Sequence, residues 1–233
     1  MLLRMETSLR AMARKAGLVP LLQSSKTMLF GKKNYEEAFD LALTNELKPG
    51  DVIYDVGANI GDYTEKFAKC VGASGNVVAF EPSPAAAAKI KLRCQVYSQV
   101  HVLQIALADQ NTTMALNLGE SSDSPVNTLA IENVRGKSID VAVARADSLV
   151  ISENLRKPNL IKIDVEGFEP EVIAGFGDLL LDKTLRAIFL EVHFRILDAR
   201  GKRHAPAQIV ALLRDKGFKV WWTDASHVVA KRS

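Results

Sequence analysis

The side chains best equipped to move a proton lie late in the chain. Asp164 and Glu166 follow the apolar run 160–163, and Glu191 and His193 follow the run 185–190. Carboxylates gathered this way shift one another's pKa values, and a histidine among them can stand poised near neutrality as a general base. An earlier group has a different character. Asp55-Val56-Gly57-Ala58-Asn59-Ile60-Gly61 closes one apolar run, Glu81 closes the run 76–80, and Asp109 follows the run 100–105. Glycines let the backbone turn tightly and let a ligand approach it. The free N–H groups of a following helix then point at that ligand.

Those residues act together only if the chain alternates strand and helix. The spacing predicts strands over 51–56, 76–80, 100–105, 160–163, 185–190, 218–222 and 227–230. It predicts helices over 34–47, 61–71, 84–97, 170–180 and 206–216. The strands are short apolar runs without polar alternation, as in a parallel sheet covered on both faces. The expected fold is therefore α/β, a doubly wound, mostly parallel sheet, with ligands at the carboxyl ends of its strands. The rhythm breaks at about 109–150, where two further strands, 114–118 and 138–143, flank a segment rich in Ser, Asp, Asn and Gly. That stretch reads as a hairpin or flap inserted near the ligand crevice.

Two ligands compete for the glycine turn. A dinucleotide fingerprint needs Gly-x-Gly-x-x-Gly, but Asn59 and Asp62 hold its second and third glycine positions. A carboxylate at Asp62 would oppose a pyrophosphate. S-adenosylmethionine carries a sulfonium, an ammonium and a carboxylate. Asp55 suits its positive charge, and the helix N-terminus suits its carboxylate. Asn59 stands where a left-handed backbone is wanted, which Asn tolerates best after Gly. Glu81 lies one βαβ unit later and offers two acceptor oxygens to a ribose, or else caps the helix that Ser83-Pro84 opens. Asp109 would accept from an adenine amino group or serve as a turn residue before the insertion. With such a donor, methyl transfer is an in-line displacement, helped by near-attack geometry and a base for the acceptor proton. His193 is the candidate base, with Glu166 and Asp164 as alternatives. Asp164, Glu166 and Glu191 could instead gather a hard cation, but one histidine with scattered acids lacks metal-ligand spacing, so no metal site is expected.

Composition narrows the partners. The chain has 233 residues, 48% hydrophobic and 24% charged, enough for one substantial domain, 34–233, after an N-terminal helical extension, 1–33. A net charge of +3 without a basic run gives no support to nucleic-acid binding. Two cysteines, Cys70 and Cys94, sit in no metal or disulfide pattern, which fits a reducing cytoplasm. No apolar stretch reaches the roughly 18 to 20 residues of a membrane span. Residues 1–16 mix Arg4, Arg10, Arg14 and Lys15 with leucines and methionines. They read as a targeting peptide, a helix lying on a membrane surface, or a helix packed on the domain or a subunit contact. Oligomeric state is not legible.

Taken in order, DVGANIGDYT, AFEPSP, IKIDVEGFEPEVIAG and EVH resemble the FkbM family of methyltransferases. The resemblance runs from about Tyr35 to near the C-terminus. It implies a class I, Rossmann-like methyltransferase fold, with a seven-strand sheet whose last strand is antiparallel. It implies S-adenosylmethionine as donor and a small-molecule acceptor methylated on a hydroxyl, as in macrolides and sugars. By position, Asp55, Gly57, Asn59, Gly61, Tyr63 and Thr64 match the donor-binding motif, and Glu81 the ribose acid. Asp164, Glu166 and Gly167 match the motif after the fourth strand, and Glu191 and His193 that after the fifth. A nucleotide-dependent oxidoreductase and a non-catalytic binding module are the competing readings on the same architecture. The missing glycine argues against the first, and the joint presence of Asp55, Glu81, Asp164 and His193 against the second.

Overall fold

The computed structural model describes residues 37–118, 128–129 and 137–232. Residues 1–16, and the Asn34 that would cap the first helix, lie outside the described residues. The chain opens with α1 (Glu37–Glu46), β1 (Val52–Val56), α2 (Asp62–Val71), β2 (Asn76–Phe80), α3 (Pro84–Arg93) and β3 (Val100–Leu103). An inserted group follows: β4 (Ala106–Leu107), β5 (Thr112–Asn117), β6 (Thr128–Leu129) and β7 (Ser138–Ala144), then α4 (Ala146–Ser152). The second half runs β8 (Leu160–Ile163), α5 (Glu169–Gly175), a 3-10 turn (Gly177–Leu181) and β9 (Ala187–Glu191). It ends with α6 (Phe194–Ala199), α7 (Ala205–Asp215), β10 (Lys219–Trp222) and β11 (His227–Lys231).

Seven strands form one sheet in the order β10-β11-β9-β8-β1-β2-β3. β1 pairs in parallel with both β2 and β8, so the chain reverses direction across the sheet on either side of it. β11 runs antiparallel to β9 and β10, the antiparallel last strand that the resemblance implies. Both faces are covered. Phe39, Leu43, Phe67 and Val71 from α1 and α2 pack on Ile53, Val77, Leu160 and Phe189. On the other face Val172, Ile173, Leu197, Ile209 and Leu213 pack on Tyr54, Ile161, Ile188 and Val228. Two covered faces explain why the strands read as unbroken apolar runs.

The strand expected over 100–105 ends at Leu103. β3 pairs with β2, the chain turns at Ile105, and Ala106–Leu107 pairs with β7 instead. β4, β5, β6 and β7 make a second sheet in the order β4-β7-β5-β6. The helix expected over 170–180 breaks after Gly175, because Gly177 adopts φ +49 and the backbone tightens to a 3-10 turn. α4 and α6 are too short to leave a periodic apolar signal, and neither is anticipated from sequence. No helix among the described residues is long and apolar enough to cross a membrane.

Candidate functional site

The glycine turn is built for close approach. Gly57 has φ +76, and a Cβ there would stand 1.8 Å from the Asp164 carbonyl oxygen, so the loop after β1 and the loop after β8 touch backbone to backbone. Asn59 adopts φ 51 and Gly61 φ 86, the left-handed conformations expected of Asn and Gly. The amides of Gly57 and Ala58 both donate to the Phe80 carbonyl, and the Asn59 amide donates to Glu81 Oε2 at 2.8 Å. Glu81 Oε1 accepts from the Ser83 amide at 2.9 Å. Glu81 thus ties the turn to the start of α3. Burial pushes its carboxyl up to about 6, against those two backbone donors.

Behind the turn lies a buried ion pair. Register sets Asp55 beside Lys162 on adjacent strands, and Lys162 Nζ lies 3.6 Å from Asp55, 3.5 Å from Asp164 and 3.2 Å from the Gly57 carbonyl. Burial opposes the charge on Lys162, but Asp164 and Asp55 hold its pKa above the usual value. Thr64 donates to Asp55 Oδ2 at 2.6 Å, while Asp55 Oδ1 is buried without a hydrogen-bond partner. The Tyr63 ring sits over Lys162, and its hydroxyl bonds Asp40 of α1. Thr64 and Tyr63 therefore support the turn from behind.

A cavity opens in front of it. Val56, Gly57 and Asn59 line it from β1, Phe80, Glu81 and Pro82 from β2, and Asp164, Val165, Glu166 and Phe168 from the loop after β8. Ala106, Leu107, Leu116 and Leu129 close it from the inserted sheet. Asp109 is not among the lining residues; its carbonyl accepts from Arg145 instead. Gly61, Tyr63 and Thr64 lie outside the lining as well.

On the rim, the four titratable residues singled out in the sequence do converge. His193 Nε2 lies 3.2 Å from Glu166, 3.6 Å from Asp164 and 3.9 Å from Glu191. Its Nδ1 faces Glu169 at 2.7 Å, a carboxylate with no exposure that also accepts from the Gly167 amide. Glu166 itself adopts φ 49, a strained conformation for a non-glycine residue, beside Gly167 whose Cβ would strike Ile196 of α6. The sequence suggests a histidine poised near neutrality. Burial would indeed lower its pKa, but Glu169, Glu166 and Asp164 outweigh burial and raise it to about 9. Burial raises the Glu166 carboxyl, with Asp164 and Glu191 adding to it. Glu191 goes the other way: its burial is overcome by His227 and His193, which hold it below the usual range.

Asp164, Glu191 and His193 each bring one ligand atom to within 4.8 Å of the others, a proximity that their separation along the chain conceals. Sequence reasoning missed four supporting residues. Lys162 and Glu169 stood inside quoted motifs without a role. His227 and Asp224 reach the site only through the pairing of β11 with β9, which no local signal encodes.

Residues 55–220 match the family model described as the methyltransferase FkbM domain. The chain is 30% identical over 204 residues to the 31-O-demethyl-FK506 methyltransferase FkbM of Streptomyces tacrolimicus, covering 75% of each chain. It is 28% identical to the hexuronic acid methyltransferase AglP of Haloferax volcanii, covering 76% of this chain and 73% of that one. Among solved structures, Aeropyrum pernix fibrillarin with bound S-adenosyl-L-methionine aligns at TM-score 0.50 and 13% identity, covering 83% of this chain and 74% of its own, a likeness of fold. The glycine turn, the acid after β2 and the acidic rim all fall inside the matched segment, and the chain belongs to the FkbM family of S-adenosylmethionine-dependent methyltransferases.

Proposed function

We propose that this chain is an O-methyltransferase that holds its donor in the cavity before Gly57 and methylates a hydroxyl of a small metabolite, sugar or lipid at the His193 rim. One observation carries the reading: Asp164 and Glu166 both line the cavity and stand 3.6 and 3.2 Å from His193 Nε2, so donor pocket and proton-handling groups share two residues. The cavity's chemistry fits the donor. At Gly57 any Cβ would strike the Asp164 carbonyl and push apart the two loops that line the cavity, Asn59 brings a left-handed turn to its wall, and Glu81 offers acceptor oxygens for a ribose. Bound there, S-adenosylmethionine supplies an electrophilic methyl group; the protein's own residues hold the acceptor in line and remove its proton.

His193 takes that proton in this reading, with Glu166 and Asp164 as the alternatives. At neutral pH its imidazole is protonated among the acids, so it accepts only after losing that proton, and positive charge entering the cavity lowers its pKa from about 9. The relatives named for a 31-O-demethyl compound and for hexuronic acid support a small oxygenated acceptor. The acidic rim would repel the phosphates of a nucleic acid. Two free thiols, Cys70 and Cys94, support a cytoplasmic setting. In domain terms, residues 1–33 precede a methyltransferase domain over 34–233 that carries the insertion at about 109–150.

Calorimetry with S-adenosylhomocysteine, followed by a screen of hydroxyl acceptors read by its release, tests the function. Folded protein that fails to bind would overturn the donor site. With an acceptor in hand, kcat is expected to climb with pH toward about 9, a limb that His193→Gln removes with a roughly 10²–10⁴-fold loss. A limb in the carboxylate range that survives His193→Gln would move the base to Glu166.

A further inference from the structure

We propose that His227, clamped by Asp224, is a positioning residue that holds the Glu191 carboxylate on the reaction rim. The proposal rests on that rim being where the acceptor reacts. β11 lies antiparallel beside β9, and the register sets His227 directly opposite Glu191. The His227 ring is 3% exposed and lies against Phe39 of α1, with centroids 4.3 Å apart. Its Nδ1 lies 3.0 and 2.9 Å from the two oxygens of Asp224 and 3.4 Å from the Ser226 hydroxyl. Asp224 is itself locked by the turn before β11, where its Oδ1 accepts the amides of Ser226 and His227 at 2.8 and 2.9 Å.

With Nδ1 committed to Asp224, Nε2 is left to face Glu191, and it does so at 3.5 Å from Oε2. The other oxygen of the same carboxylate, Oε1, is 3.9 Å from His193 Nε2. Glu191 is therefore suspended between two histidines, one structural and one on the rim. Glu166 contacts His193 with no second clamp among the described residues. Two of the four carboxylates around His193 are thereby given different duties. Glu191 is a fixed charge, held off His193 by the ring behind it, and Glu166 is the one free to respond to an acceptor. Released from His227, a Glu191 carboxylate that is 31% exposed can swing onto His193 Nε2 and occupy the place where an acceptor hydroxyl must approach. The device is the acid–histidine pairing that orients reacting groups elsewhere, in which the bond to one ring nitrogen decides what the other can do.

The test uses two substitutions. His227→Phe keeps the ring against Phe39 and removes both ring N–H groups, whereas His227→Gln keeps a side-chain N–H that can reach Glu191. Binding of S-adenosylhomocysteine by calorimetry is expected to change by less than about twofold in either. In H227F, kcat is expected to fall about 10- to 100-fold with the donor KM unchanged, the size of a misplacement effect, and H227Q to recover most of it. Adding Glu191→Gln to H227F is expected to cost little more, because His227 acts through Glu191. If H227F keeps full turnover, or if its loss multiplies with that of E191Q, the proposal fails. Should H227F unfold around a stranded Asp224, the double variant H227F/D224N removes the unpaired charge and is expected to show the same loss. A readout independent of any acceptor is the 13C signal of the Glu191 side-chain carboxyl. At constant pH it is expected to be displaced in H227F, where the carboxylate leaves the ring behind it, and to keep its wild-type position in H227Q. An undisplaced signal overturns the positioning role whether or not an acceptor has been found, while absent donor binding by the wild type would instead overturn the methyltransferase site.

Discussion

Glu81 concentrates the residue-scale physics of the donor site. Its two oxygens hold the Asn59 and Ser83 amides at 2.8 and 2.9 Å, so it shapes the turn whether or not a ribose is present. Its burial raises the carboxyl to about 6, close to the working range of the protein. In the proposed ribose contact the hydroxyls would donate to the ionised form, so the donor's affinity is expected to fall as pH drops through that value. If only the ionised form binds, S-adenosylhomocysteine should bind about tenfold more weakly at pH 5 than at pH 7.5, following the fraction of ionised Glu81. Glu81→Gln should bind weakly at both and lose the dependence. Calorimetry at the two pH values reads this directly. An affinity in the wild type that is flat across the range would remove Glu81 from the ribose. Asn59 makes the complementary point about legibility. Its left-handed φ was readable from residue type alone, because only Gly and Asn enter that region cheaply. Glu166 enters the same region, and nothing in its type announced it.

At the scale of elements, the inserted sheet lines the cavity before Gly57, the proposed donor pocket. β5 and β6 pair so that Leu116 lies opposite Leu129, and both side chains line the cavity. Leu116 is buried and structural, whereas Leu129 is partly exposed, so only the second can be trimmed without opening the core. Leu129→Ala should weaken S-adenosylhomocysteine binding about three- to tenfold, the loss of a few buried methylene contacts, with the melting temperature nearly unchanged. Unaltered affinity would detach the insertion from the donor and leave it to the acceptor alone. The sequence carried the main sheet well, because short apolar strands between helices have one sensible arrangement, and β2 and β8 fell on their expected bounds. It carried the insertion only as two strands around a polar stretch. The turn at Ile105, where the chain passes from one sheet to the other, depends on which partner strand competes best for its backbone, a tertiary choice. The converging rim was legible as strand-end residues, but Asp224 and His227 were not, since their place follows from antiparallel register over a turn.

At the scale of the whole molecule, these local charges sum to a direction in stability. His193 and His227 have folded pKa values of about 9 and about 10 against an ordinary 6.5, raised by the carboxylates around them. A group whose folded pKa lies above its unfolded value stabilises the fold fully below the unfolded value, and that contribution is lost as pH rises through the folded one. Both histidines therefore contribute below pH 6.5 and fade between pH 6.5 and about 10. Glu81 pushes the same way lower down, since its ionisation is disfavoured in the fold. Acid works against Glu171, Glu191 and Asp224, whose carboxyls are held below their usual range by Arg200, His227 and their neighbours; their contribution is lost as pH falls through those depressed values. The melting temperature should thus peak in the mildly acidic to neutral range and decline steadily from pH 7 to 10. Because His193 and His227 are mostly buried, added salt should screen the decline only weakly, unlike one driven by exposed surface pairs. His227→Gln should lower the peak and flatten the alkaline side, because a residue that does not titrate cannot release its proton there. Thermal melts across pH at low and high salt would settle it. A melting temperature that rises between pH 7 and 10 would mean that neither imidazole is held charged by its acids, and the same result would take away the charged clamp on Glu191.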